Sequence, residues 1–272
     1  MQLNNLNIAV LGAGRSGRAA ARLAMTHGAR VCVFDASSSI DGWPEDIPLH
    51  TAATEEDGRA FHADLVVISP GIETDSPFVK SFGREGVETI GEMELACRFY
   101  HGRIIAITGS DGKTTTSTIT AELLRAQGYT VHLGGNIGTP LFDRIPEIRP
   151  EDFAVLELSS FQLHSMHCAP DVAIITNISP NHLDVHPDFE DYVSAKCSIY
   201  RCQRPDGCLV LNAKDAHTPR FAAEAPGRVR YFSSIGPVEN GVYCTDGVIY
   251  RAHDGKAEKI LDAAEIRIPG AH

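Results

Sequence analysis

No stretch of this 272-residue sequence runs for about 18 apolar residues, so nothing in it reads as a membrane-spanning helix. The N-terminal segment MQLNNLNIAVLGAG carries no basic residue ahead of its apolar run and no small-residue cleavage site behind it, so it is not expected to be a signal peptide. Positive charge is also in deficit. The 24 Lys+Arg stand against 35 Asp+Glu, a net charge of −11, whereas a nucleic-acid or membrane-surface binder would carry a basic face. The seven cysteines include no C-x-x-C pair, and an odd, scattered set suits a reduced compartment, so a cytoplasmic protein is expected. Low-complexity tracts, charge blocks and fixed-period repeats are missing as well. At 43% hydrophobic and 22% charged residues the chain has a globular composition, and its length suggests two domains. Lysine is scarce, six against eighteen arginines, so a lysine inside a motif carries weight.

What is present is an alternation of short β-branched runs with helical stretches, the pattern of an α/β protein with mainly parallel sheets. Strands are expected over residues 7–11, 30–34 and 64–69, with helices over 15–27, 76–85 and 92–100. A second module opens with the strand 103–108. It continues through a helix at 113–127, strands at 130–133, 153–158 and 171–178, and a helix at 189–200. Strands at 207–211 and 229–232 then flank a helix at 218–225. Asp246-Gly247 within 243–250 is a two-residue hairpin signal, so the last part departs from parallel topology. The joint falls near His101-Gly102, giving domains over 1–101 and 102–272. No Pro/Ser-rich linker separates them, so they are expected to pack closely.

Two turns have the chemistry of phosphate binding. Gly12-Ala13-Gly14-Arg15-Ser16-Gly17 fits G-x-G-x-x-G between a strand and a helix. The first glycine allows the tight turn, the second a close backbone approach to a diphosphate, the third close helix–strand packing. The helix N-terminus adds N–H groups, and Asp35 ends the next strand, where a carboxylate meets a ribose hydroxyl. The motif does not name the nucleotide. NAD is the commonest answer, and an NAD-dependent oxidoreductase is one reading of it. The second turn, Gly109-Ser110-Asp111-Gly112-Lys113-Thr114-Thr115, resembles a P-loop with Ile107 in place of the first glycine. Its N–H groups suit phosphates, Lys113 the terminal phosphoryl oxygens and Thr114 a Mg²⁺ ion, so ATP is the expected ligand.

Other candidates depend on context. Glu157 near the end of the strand 153–158 is a surface acid on its own and a metal-orienting acid beside a P-loop. His182 and His186 flank Asp184 after a strand. His182 sits where α/β sites are built, while His186 reads as a turn residue. Lys196, in YVSAK, reads by itself as a solvated helical lysine.

Four ordered motifs, TGSDGKTTT (108–116), GGNIGTP (134–140), LELSSFQL (156–163) and TNISPNHLD (176–184), resemble those of the Mur ligases. The SSFQL tract, the GAGRSG turn and the SPGI turn (69–72) are similar to the family's D-glutamate-adding branch. The likeness runs nearly continuously to Tyr200 and weakens to pattern level beyond it. It implies a Rossmann-like UDP-binding domain followed by a P-loop-type ATPase domain. It also implies an ATP-dependent amide ligase that joins D-glutamate to UDP-N-acetylmuramoyl-L-alanine through an acyl phosphate. Carried over by position, Lys113 contacts the transferred phosphoryl group, Thr114 and Glu157 hold a first Mg²⁺ and His182 a second. Lys196 matches a lysine that becomes carbamoylated and metal-associated. Gly14, Arg15, Ser16, Asp35, Ser69 and Gly71 match contacts to uridine and diphosphate, and Asn136 and His182 substrate contacts.

Asp111 departs from the asparagine more usual in the family and adds a negative charge beside the phosphates. Residues 268–272 resemble the start of a G-x-H-N segment, and no counterpart of the family's amino-acid-binding third domain follows. The expectation is therefore a monomeric, incomplete ligase that keeps its UDP ligand, binds ATP weakly, turns over negligibly and leaves one apolar sheet face uncovered. A related ligase, including the folylpolyglutamate type, and a non-catalytic nucleotide-binding module are the alternative readings.

Overall fold

The computed structural model describes residues 1–137, 141, 145, 148–180 and 186–267. Two sheets organise it. The first is wholly parallel, in the order β3-β2-β1-β4-β5, from strands β1 (Asn7–Leu11), β2 (Arg30–Phe34), β3 (Leu49–His50), β4 (Leu65–Ile68) and β5 (Glu88–Gly91). Helices α1 (Arg15–Thr26), α2 (Glu55–Phe61), α3 (Pro77–Phe82) and α4 (Glu92–Phe99) complete this unit. The strand order reverses between β1 and β4, and a doubly wound sheet opens its binding crevice at such a switch point. The turns at residues 12–17 and 69–72 lie there.

Local chemistry accounts for these elements. β1 and β4 are buried apolar runs, as strands covered on both faces must be. On α1, Gly17, Ala19, Ala20 and Ala21 are all buried, small residues that let the helix lie close on the sheet. Ser76 caps α3 by accepting from Val79 N–H, and Thr54 with Asp57 forms a capping box on α2.

The second sheet has the order β14-β13-β12-β11-β10-β9-β6-β8-β7. Its parallel part holds β6 (Arg103–Thr108), β7 (Val131–Gly135), β8 (Phe153–Glu157), β9 (Val172–Ile175), β10 (Cys208–Asn212), β11 (Arg228–Ser233) and β12 (Gly241–Thr245). The helices are α5 (Lys113–Ala126), α6 (Ser160–His164), α7 (Phe189–Arg201) and α8 (Thr218–Glu224). β13 (Val248–His253) and β14 (Lys256–Asp262) then run antiparallel. Asp246 and Gly247 both take positive φ, 50° and 73°, as a type I′ hairpin requires. Asp254 and Gly255 repeat the device at 50° and 72° and build a third strand that the alternation pattern alone does not suggest.

One apolar cluster runs from Leu3, Ile8 and Leu65 through Phe99, Tyr100 and Ile104 to Leu163, Val193 and Phe221, so the two sheets share a continuous core. Close packing of the modules is thus observed. A polar tie reinforces it where Glu94 of α4 accepts from His167 N–H at 2.8 Å.

Candidate functional site

In the second unit β6 is flanked by β8 and β9, which brings three strand ends together. Thr108 ends β6, and residues 109–112 turn the chain into α5. Gly109 has φ +148°, and a Cβ there would lie 1.9 Å from Thr176 Oγ1, so only glycine fits. Thr176 and Asn177, just beyond β9, pin the loop. Thr176 Oγ1 donates to Asp111 O at 2.6 Å, and Asn177 both accepts from Asp111 N–H (3.1 Å) and donates to Asp111 O (3.0 Å). Ser110 Oγ accepts from Ser179 N–H at 2.9 Å and meets Tyr192 Oη at 2.9 Å. Lys113 Nζ folds back over this loop and donates to Gly109 O (3.0 Å) and Ser110 O (2.9 Å). Thr114 follows on the exposed first turn of α5.

Glu157 closes β8 at 2% exposure. Its Oε1 accepts from Asn136 Nδ2 at 3.1 Å, while its buried Oε2 has no hydrogen-bond partner among the described residues. A buried carboxylate oxygen left open beside a phosphate-type loop fits a divalent cation.

Lys196, far from being a solvated helical lysine, is 2% exposed. Its Nζ donates to Gly109 O at 3.0 Å and lies 4.6 Å from the Tyr192 ring centroid. Burial first, and Lys113 second, lower its pKa to about 7. His186 departs from its turn-residue reading. It is buried, bonded through Nδ1 to Asp191 Oδ2 at 2.6 Å and through Nε2 to Ser160 Oγ at 2.9 Å, and it joins α6 to α7. His182 falls outside the described residues, as do Asp184 and residues 138–140 of the GGNIGTP motif.

The first unit supplies the other wall. Gly12 has φ +104°, and a Cβ on Gly17 would come 2.0 Å from Gly12 O, so both glycines serve the turn itself. Gly14 has open space on its Cβ side. Arg15 and Ser16 begin α1, with Arg15 exposed. Asp35 accepts from Ala13 N–H at 2.7 Å and from Ser37 N–H at 2.9 Å, so it shapes the loop around any ribose it would meet. Burial raises its pKa, but these N–H groups outweigh burial and hold it below the usual carboxylate range. A depressed carboxyl stabilises the fold above the ordinary pKa of about 3.9 and loses that contribution as pH falls. Asp35→Asn removes one acceptor, with an expected loss of about 1 kcal/mol in chemical denaturation at pH 7 that shrinks towards pH 3.

A cleft of about 920 Å³ joins the halves, lined by Ser69, Gly71, Glu92, Lys113, Asn136 and Lys196 among others. It brings together predicted and newly found groups from both units. A smaller pocket of about 460 Å³ at the joint contains none of the predicted site residues. Glu92, Thr176, Asn177 and Tyr192 also build the site, without having stood among the expected site residues. Glu92 had a signal, an acid directly after an apolar strand in G-E-M-E-L.

The family model described as Mur ligase middle domain matches residues 107–272, and that described as Mur ligase MurD-like, N-terminal domain matches residues 6–91. A UDP-N-acetylmuramoylalanine--D-glutamate ligase from Acidobacterium capsulatum is 39% identical over 282 residues, covering 100% of this chain and 61% of that protein. One from Acetivibrio thermocellus is 47% identical over 210 residues, covering 77% of this chain and 45% of that protein. The chain thus spans about 60% of the length of the curated relative it matches along its whole length. The UDP-N-acetylmuramate:L-alanyl-gamma-D-glutamyl-meso-diaminopimelate ligase structure from Neisseria meningitides shares the fold. Its TM-score is 0.58 at 19% identity, covering 93% of this chain and 86% of that one.

Proposed function

The chain belongs to the Mur ligase family, and from that premise we propose that it serves the ATP-dependent joining of D-glutamate to UDP-N-acetylmuramoyl-L-alanine in peptidoglycan synthesis. The observation that carries this reading is the continuous cleft, which runs from the SPGI turn at Ser69 and Gly71 to Lys113, Asn136 and Lys196. A substrate carrying UDP at one end and a carboxylate at the other needs such a groove between two phosphate-binding turns.

In the proposed reaction the substrate carboxylate attacks the γ-phosphorus of ATP, forming an acyl phosphate and releasing ADP. The amine of D-glutamate then attacks the acyl carbon, and phosphate leaves as the amide forms. A carboxylate is a poor electrophile and both reactants are anions, so charge neutralisation and alignment are the main requirements. The N–H groups of residues 112–114, at the start of α5, hold the ATP phosphates, Lys113 reaches the transferred group, and Asn136 holds the acyl end of the substrate. Mg²⁺, when bound, supplies charge neutralisation at the phosphates, with Thr114 and Glu157 as its residues. Lys196, buried and without a carboxylate partner among the described residues, suits carbamoylation, which would add an anionic oxygen pair for a second ion alongside His182. Gly14, Arg15, Ser16, Asp35, Ser69 and Gly71 hold the UDP end. The unit boundary lies at His101-Gly102, and the chain acts as a cytoplasmic monomer.

Calorimetric titration of the chain with UDP-N-acetylmuramoyl-L-alanine, Mg·ATP and NAD tests the assignment. The first two are expected to bind at one site each. NAD binding in place of the UDP ligand would sink it and return the first turn to an oxidoreductase reading.

A further inference from the structure

Behind the first phosphate turn sits a carboxyl group that the proposed chemistry does not use. Glu92 opens α4 directly after β5, is 3% exposed, and lines the cleft. Its Oε1 accepts from Ser69 Oγ, and its side chain is also hydrogen-bonded to Ser16. Both partners belong to the proposed diphosphate site: Ser16 to the first turn of α1, whose N–H groups would face the anion, and Ser69 to the opposite lip of the switch point.

The surrounding charges do not neutralise it. On its own helix Glu94 pairs with Arg98, and Arg98 also with Glu88 of β5. On α1, Arg15 is exposed and the Arg18 guanidinium lies 5.1 Å from the Trp43 ring centroid. β4 carries no titratable residue. Along the cleft stand Glu73, Asp75, His164, His186, Asp191, Lys113 and Lys196. Of these, Lys113 is held by the carbonyls of its own loop and His186 and His164 by Asp191. No ion pair to Glu92 exists among the described residues. A buried, unpaired carboxylate one serine away from a bound diphosphate would face like charge at short range.

We propose that Glu92 is a nucleotide-linked proton site: binding of a nucleoside diphosphate ester at the first turn requires Glu92 in its neutral carboxylic acid form, so that binding takes up a proton wherever Glu92 is ionised in the free chain. The proton comes from solvent, adds to the Glu92 carboxylate and leaves again when the ligand dissociates. This rests on the UDP reading of that turn. Burial, opposed by the bonds from Ser16 and Ser69, raises the Glu92 pKa to about 7, so the uptake sets in as pH rises through the neutral range. The sign is fixed: affinity is full below that pH and weakens as pH rises through it, by up to about tenfold per unit.

The test titrates the chain with a UDP-sugar, whose diphosphate is fully ionised throughout, at pH 6.5, 7.5 and 8.5. Buffers of different ionisation enthalpy report the protons exchanged. The wild type is expected to take up approaching one proton per ligand at pH 8.5 and to lose about tenfold or more in affinity between pH 6.5 and 8.5. Glu92→Gln keeps both serine contacts in a neutral form, so it is expected to bind with no uptake and no such loss. Glu92→Asp restores a titrating group and a pH-dependent affinity. Wild-type binding without proton uptake, or uptake that persists in Glu92→Gln, overturns the proposal alone. No binding by any form at any pH overturns the UDP reading and this inference with it.

Discussion

Lys113→Ala is expected to lower Mg·ATP affinity by about 100-fold, while its melting temperature stays within a few degrees of the wild type. The ammonium donates to Gly109 O and Ser110 O, two neutral acceptors of its own loop, and is paired with no carboxylate among the described residues. It is thus positioned where the phosphates would lie and tied by bonds that are readily exchanged. A charge-assisted bond is worth about 1.5–3 kcal/mol, and losing two to a phosphoryl group amounts to roughly 3 kcal/mol or the stated loss. The loop itself should survive, because Thr176, Asn177 and Ser179 hold Asp111 and Ser110 independently of the lysine. Lys113→Arg should not restore affinity, since a planar guanidinium cannot replace a compact ammonium in a loop this tight. Titration with Mg·ATP, with UDP-sugar binding as the control for folding, decides it. Unchanged ATP affinity in Lys113→Ala would remove the P-loop assignment.

The parts legible in the sequence were those written locally. The two phosphate turns needed only glycines at set spacings between a strand and a helix, and both formed where expected. Asp246-Gly247 announced its hairpin for the same reason, and Asp254-Gly255 carried an equal signal that the strand alternation masked. The missing pieces depend on tertiary neighbours. β3, two residues long, exists because Val33 and Phe34 offer an edge to Leu49 and His50. Lys196 and His186 look solvated or incidental in one dimension, yet α7 carries one under the P-loop and α6 closes over the other. The Thr176-Asn177 clamp follows from β9 lying beside β6, a neighbour relation set by strand order rather than by spacing.

The first turn yields a paired prediction that separates folding from binding within a single motif. Gly17→Ala places a methyl 2.0 Å from Gly12 O and 3.2 Å from Ser69 Oγ, so backbone must move before the helix can seat on the sheet. Forcing such an overlap is expected to cost about 3 kcal/mol and to lower the denaturation midpoint, with ligand binding lost as a consequence. Gly14→Ala differs in every respect. Its φ of −73° and ψ of −176° suit alanine, and its Cβ direction is empty. Replacing glycine by alanine at this N-cap should cost no more than about 1 kcal/mol. If a diphosphate crosses the turn on that open side, the added methyl stands in its path, and UDP-sugar affinity should fall by about 100-fold in a protein that still folds. Chemical denaturation and UDP-sugar titration of both variants read the two effects apart. Wild-type affinity in a folded Gly14→Ala variant would show that no ligand approaches there, leaving the first glycine motif a structural turn.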